Sequence, residues 1–201
     1  DYSQAVLINS SLNQMMTKQN IAEIAKIQNT SPEEALVDIL VASGGRAVAS
    51  MEVLSEENIR RALQHPAALV ASNGAGYSLD HAETGERVHP RSFGTFSRVL
   101  ARYVRQEKLF TWEEAIHKMS GRPAQVVGLP NRGVLRKGYA ADIVVFHPDE
   151  VADCATMEHP YRYSKGMRWV LVNGSPVLEK GTVVARRTGQ ILRKKKSMWS
   201  W

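Results

Sequence analysis

Two short stretches hold the side chains best suited to chemistry: Ser72-Asn73-Gly74, and Val88-His89-Pro90-Arg91-Ser92-Phe93-Gly94-Thr95-Phe96. A histidine, an arginine and two glycines gather in a loop between an apolar run and a long amphipathic stretch, where binding and catalytic groups tend to sit. A guanidinium presents a planar fork of donors that matches a carboxylate, so Arg91 is a candidate binding group; the competing reading is a surface arginine paired with Glu86 or solvent. His89 reads as a residue that orients the loop rather than a metal ligand. Gly74 and Gly94 permit close backbone approach. Ser10, at the end of the first apolar run, can hydrogen-bond a carbonyl or carboxylate, although a helix-cap or loop serine is the simpler reading. Asp142, in Ala141-Asp142-Ile143-Val144, is a carboxylate at a strand start and reads as structural, satisfying backbone amides.

No metal-site spacing is present. The six histidines are scattered, with no His-x-His or HExxH pair. The single cysteine, Cys154, makes no intrachain disulfide, which fits a reducing compartment, so a cytoplasmic location is expected. The chain of 201 residues is 43% hydrophobic and 23% charged, enough for one large or two small domains with a core. Its net charge of +6 comes largely from Arg186, Arg187, Arg193, Lys194, Lys195 and Lys196, read as a solvated tail. No aromatic-plus-basic pattern points to nucleic acid. No run reaches the ~18 apolar residues of a membrane helix, so neither nucleic acid nor membrane is an expected partner. Asp1-Tyr2-Ser3-Gln4 has no basic segment leading into an apolar one, so no signal peptide is expected.

The elements that must position these groups are partly legible. Ala5-Val6-Leu7-Ile8 reads as a buried strand opening into a loop. Apolar residues in 17–28 have roughly helical spacing. Ser31, with Pro32 behind it and Glu34 three residues on, marks a helix start with a capping box, and Gly44-Gly45 marks its stop. Residues 46–54 read as a strand and those from Ser55 to before Pro66 as a helix. Ala67-Ala68-Leu69-Val70-Ala71 reads as a strand buried on both faces, the βα pattern of a parallel sheet or barrel, whose chemistry lies at the C-terminal strand ends, here Ser72-Asn73-Gly74. A long helix is expected over 93–106, and Thr111 with Glu114 starts another that ends near Gly121. Beyond residue 130, Asn173-Gly174 between apolar runs signals a hairpin in an antiparallel β unit.

The chain resembles the N-acyl-D-amino-acid deacylase (D-aminoacylase) family of the amidohydrolase superfamily. The resemblance rests on His89-Pro90-Arg91-x-Phe93-Gly94-Thr95-Phe96, then Glu114-Ala115-Ile116-x-Lys118-Met119, then Gly133-x-Leu135-x-x-Gly138-x-x-Ala141-Asp142-Ile143-Val144-Val145-Phe146, and Val170-Leu171-Val172-Asn173-Gly174. The last two are shared widely among amidohydrolases; the first is far more specific. The implied fold is α/β: the C-terminal part of a (β/α)₈ barrel followed by a small antiparallel β unit. Residues 1–131 would be late barrel strands and helices with a helical insertion at about 17–45, residues 132–193 the C-terminal β-sandwich portion, and 194–201 a basic tail.

The resemblance further implies a zinc-dependent hydrolase of linear amides, cleaving N-acyl-D-amino acids to a carboxylate and a D-amino acid. Arg91 would hold the substrate's α-carboxylate, with Ser10, His89 and Gly74 as further substrate-binding positions. The family's metal ligands precede the region matched here, so no zinc is expected in this chain alone, and the chain is expected to be an inactive C-terminal fragment. Where the family has Ser-Asp-Gly, this chain has Ser72-Asn73-Gly74. The family aspartate relays a proton between metal-bound water and the leaving amine; an amide cannot carry that proton. Asn73 is either an introduced replacement or the mark of a natural relative with lost or altered activity. Two alternatives stay open: a degenerate, non-catalytic relative acting as a structural or binding module, and a cyclic amidase of the dihydroorotase or hydantoinase kind. The first is favoured by Asn73, and the second is opposed by the His-Pro-Arg-x-x-Gly-Thr-Phe string. A partial barrel leaves a sheet edge open, so either association through that edge or a rearranged strand order is expected.

Overall fold

The computed structural model describes residues 1–10, 19–86, 88–184 and 187–193. Its contacts divide the chain into two compact units, Asp1–Ser55 with Asp80–Arg87, and Glu56–Leu79 with Val88–Trp201.

In the first unit, β1 (Ala5–Ser10) pairs antiparallel with β2 (Ala47–Met51), with a register irregularity between Leu7 and Asn9. Between them run α1 (Ile21–Gln28) and α2 (Pro32–Ala42). Both helices begin with a closed capping box. Asn20 Oδ1 accepts the Glu23 N–H at 2.8 Å and Ser31 Oγ accepts the Glu34 N–H at 3.2 Å, while each glutamate returns to the cap's own N–H. Asn29, at φ 54°, ends α1 in the left-handed region, and Pro32 starts α2 two residues after Thr30. Ile21, Ile24 and Ala25 recur at the i, i+3, i+4 spacing that builds one apolar stripe. They bury with Ala35 and Ile39 of α2 and with Ala5 and Leu7 of β1.

The second unit holds α3 (Glu56–Gln64), α4 (Arg91–Arg98), α5 (Trp112–Met119), α6 (Gly121–Val127) and the antiparallel sheet β3 (Ile143–Phe146), β4 (Met167–Val172), β5 (Ser175–Glu179), β6 (Thr182–Val183) in that order. The helix expected over 93–106 starts at Arg91 and changes register. From Val99 to Gln106 it is a π-helix. This segment carries the core, with Val99, Leu100, Tyr103 and Val104 packed on Phe110, Ala115, Val70 and Val151. Thr111 caps α5 by accepting the Glu114 N–H at 3.1 Å. Glu114 does not close the expected box; its carboxylate lies 3.6 Å from Lys118 Nζ, one turn along. The Asn173-Gly174 hairpin forms, with φ of 51° and 82°, the positive values a two-residue primed turn requires.

Asp142 is held as its sequence position suggested. Its Oδ1 accepts the Asn173 N–H at 2.8 Å and its other oxygen pairs with Arg132, which also donates to Asn173 Oδ1 at 2.7 Å. Partial burial pushes this carboxyl up, but the Asn173 amide and the Arg132 guanidinium outweigh it and hold it below the usual range.

The α/β class holds, with corrections to two local expectations. Residues 67–71 form no strand, and only Val70 among them is buried. A strand exists only within a ladder, and Val70 N–H donates instead to the carbonyl of Lys118, at 3.1 Å, at the end of α5. Nor do the described residues contain a parallel pair: β1 finds its partner in β2, antiparallel. Thr17, Lys18 and the basic tail 194–201 fall outside the described residues.

Candidate functional site

The site lies in the second unit, where the loop 72–74 meets the start of α4. Gly74 is what permits the meeting. A Cβ built there would stand 2.8 Å from Ser92 Cα and 3.0 Å from the Arg91 carbonyl oxygen. The loop is folded back by Ser72, whose Oγ accepts the Gly74 N–H at 2.9 Å and lies 3.4 Å from the Arg91 carbonyl oxygen. Thr95, one turn along α4, donates its hydroxyl to the same carbonyl at 2.9 Å and stands 3.4 Å from Ser72 Oγ.

Arg91 is thus held through both of its backbone groups. Its N–H donates to His89 Nδ1 at 3.0 Å, and its carbonyl accepts from Thr95 with Ser72 alongside. The guanidinium is exposed, and no carboxylate among the described residues of its unit stands within ion-pair distance. Glu86, the competing partner weighed from the sequence, lies 2.9 Å from His81 Nε2. Packing around the His89 ring, and then the positive charge of Arg91, hold that histidine below its usual pKa, which keeps it neutral at pH 7 and able to accept through Nδ1. The remaining N–H groups at the start of α4 are occupied: Ser92 donates to His89, and Phe93 and Gly94 donate to Pro90. A ligand carboxylate at this point would therefore have the guanidinium, not the helix terminus, as its donor.

The five site residues drawn from the sequence separate. Asn73, Gly74, His89 and Arg91 come together around one junction. Asn73 is exposed at the tip of its loop. Ser10 ends β1 in the other unit, where its backbone pairs with Ala47; its side chain is outside what the structure describes. Among the described residues, no three His, Cys, Asp or Glu side chains are grouped to hold a metal ion. The donor set of the described residues therefore does not fit a zinc site.

Three features escaped sequence reasoning. Ser72 and Thr95 bracket the Arg91 carbonyl from positions 23 residues apart, and short polar residues leave no periodic signal. Lys118 is buried, with 2% of its surface exposed, and donates from Nζ to the His65 carbonyl at 2.7 Å; with the Val70 bond, it ties 65–70, the approach to the site loop, to α5. Aromatic rings line the start of α4, Phe93 lying 5.8 Å from Tyr161 and 5.9 Å from Tyr163 between ring centres, and Ser164 donates to the Phe93 carbonyl at 2.9 Å.

The model of the amidohydrolase family matches residues 9–178. The chain is similar to the D-aminoacylase of Alcaligenes xylosoxydans xylosoxydans, 41% identical over 70% of this chain and 28% of that protein, and to the N-acyl-D-glutamate deacylase of the same organism, 41% identical over 72% and 28%. It is more distantly similar to the dihydroorotase of Lactobacillus acidophilus, 30% identical over 54% of this chain and 26% of that enzyme. Among solved structures, the N-acyl-D-glutamate deacylase from Bordetella bronchiseptica, complexed with zinc and a phosphonate inhibitor that mimics the tetrahedral intermediate, superposes with a TM-score of 0.80 at 36% identity, covering 96% of this chain and 38% of that one. The chain spans little more than a quarter of the curated deacylases it matches. Its α/β fold is that of the D-aminoacylases, and the chain belongs to the amidohydrolase family.

Proposed function

We propose that this chain carries the carboxylate-binding part of an N-acyl-D-amino-acid deacylase, with Arg91 as the group that takes the substrate's α-carboxylate. The observation that carries the reading is the Arg91 junction: an exposed guanidinium without an ion-pair partner in its unit, on a backbone held at both its N–H and its carbonyl, beside the 72–74 loop. Preorganised backbone lowers the cost of ordering a long side chain around its ligand. The similarity to deacylases acting on D-amino-acid derivatives supports the substrate class. In this reading Asn73 can donate a hydrogen bond to the substrate's amide carbonyl, but it cannot relay a proton. In this reading the chain by itself binds the substrate's carboxylate without hydrolysing the amide; among the described residues no three His, Cys, Asp or Glu side chains converge to hold the metal ion that hydrolysis would use.

The test is a titration of the purified chain with N-acetyl-D-alanine, N-acetyl-L-alanine and dihydroorotate, followed by ninhydrin assay for free amine with and without added zinc. The reading expects weak binding of the D-compound that disappears in Arg91→Ala, and no amine release in any condition. Binding unaffected by Arg91→Ala removes the role given to that residue. Preference for dihydroorotate favours the cyclic-amidase alternative, and absence of all binding favours a purely structural relative.

A further inference from the structure

We infer that Ser72 is a positioning residue: its hydroxyl seats the 72–74 loop on the backbone of Arg91 and so sets where the Asn73 amide stands relative to the guanidinium. The inference rests on the reading of Arg91 as the carboxylate-binding group. The Ser72 hydroxyl has three polar neighbours, the Gly74 N–H at 2.9 Å, the Arg91 carbonyl at 3.4 Å and Thr95 Oγ1 at 3.4 Å. Thr95 has one hydroxyl proton, and its shorter contact, 2.9 Å, directs that proton to the Arg91 carbonyl. The Ser72 proton then has the second lone pair of the same carbonyl as its acceptor, while its oxygen receives the Gly74 N–H.

One hydroxyl therefore does two things. It closes a turn over Asn73, as serine side chains do locally, and it faces a carbonyl 19 residues away. The close seat of Gly74 on Ser92 is the steric half of the same junction. Because Ser72 is exposed, water can satisfy these groups once the hydroxyl is gone. Its contribution is therefore to geometry more than to folding stability, and a structural role alone would leave ligand affinity unmoved.

The experiment uses the full chain, isotopically labelled, as wild type, Ser72→Ala, Ser72→Thr and Thr95→Ser. Amide exchange at Gly74 and the backbone signals of Arg91 and Ser92 are recorded without ligand, and N-acetyl-D-alanine is then titrated while the Arg91 Nε–H is followed. Ser72→Ala is expected to lose protection at Gly74, to shift Arg91 and Ser92, and to bind about 3- to 10-fold more weakly, the range of one hydrogen bond's net worth. Ser72→Thr and Thr95→Ser keep a hydroxyl and are expected to bind like wild type. If Ser72→Ala loses Gly74 protection while Arg91, Ser92 and the affinity stay unchanged, the hydroxyl closes only a local turn and the inference is overturned. If the wild-type chain shows no Arg91-dependent binding, the carboxylate reading fails, and the shift of Arg91 and Ser92 in Ser72→Ala still decides whether Ser72 holds that backbone.

Discussion

Three glycines near the site make a comparison in which the chemistry is constant and only the neighbours differ. Gly74→Ala places a methyl 2.8 Å from Ser92 Cα and 3.0 Å from the Arg91 oxygen, against about 3.4 Å for ordinary contact. Both obstacles are backbone atoms, which cannot rotate aside. Overpacking of this kind costs about 1–3 kcal/mol. The loop is exposed and can move, which places Gly74→Ala near the lower end of that range and turns the rest into displacement of the loop from Arg91. Gly94→Ala meets Asp153 Cβ at 3.0 Å. That atom is set by its own backbone, so the Asp153 segment must give slightly, at a cost of about 1 kcal/mol, which the gain of about 1 kcal/mol of helix propensity inside α4 offsets, leaving a net effect close to zero. Gly76→Ala meets nothing within 4 Å and is expected to stay within about 0.5 kcal/mol of wild type. In thermal unfolding, Gly74→Ala should lower Tm by about 2–4 °C per kcal/mol lost, with the other two unchanged within about 2 °C. In the N-acetyl-D-alanine titration it alone should impair the Arg91-dependent signal. If Gly74→Ala matches Gly76→Ala in both assays, the close seating of the loop on α4 is not a property of the protein in solution, and the site built on it falls.

Two further outcomes follow from packing and charge. Glu107 accepts a two-pronged contact from Arg60, at 2.8 and 3.0 Å, and a third bond from Arg102 at 2.9 Å, and these hold its carboxyl at about 2 instead of 4.5. A folded-state pKa below the unfolded one means stability that is present above about 4.5 and lost as pH falls toward about 2; acid unfolding curves of Glu107→Gln should lack that component, and curves parallel to wild type across the window would refute it. Gly166 sits at φ +83° against the backbone of buried Val151, where an added Cβ would lie 2.5 Å from Val151 Cα. Gly166→Ala should cost roughly 2–5 kcal/mol from left-handed strain and overlap together, read as a loss of midpoint in urea unfolding; a midpoint equal to wild type would contradict the packing of 151 on 166.

The features legible in the residues are those whose cause lies within a few positions of the chain. Ser31 and Glu34 close their capping box because side chain and amide are one turn apart in any helix that begins there. Asn173-Gly174 turns because both residues tolerate positive φ, and Asp142 stands at a strand start where amides need an acceptor. The family was legible for the same reason: His89-Pro90-Arg91 with Gly94-Thr95 is a contiguous string. Tertiary structure alone decided the rest. The run 67–71 has the composition of a buried strand but no ladder beside it, so its Val70 amide turns to Lys118. Lysines are almost never fully buried without a partner, and Lys118 is buried because His65, 53 positions away, offers it a carbonyl. The register change at Val99 leaves no mark in apolar periodicity, and α6, opening on Gly121 and Pro123, resembles a loop by composition. The junction of Ser72, Gly74, Arg91 and Thr95 depends on two segments meeting at backbone distance. A hydrogen bond across 19 or 53 residues is set by how the whole chain packs, and residue types alone do not encode which distant partner will arrive.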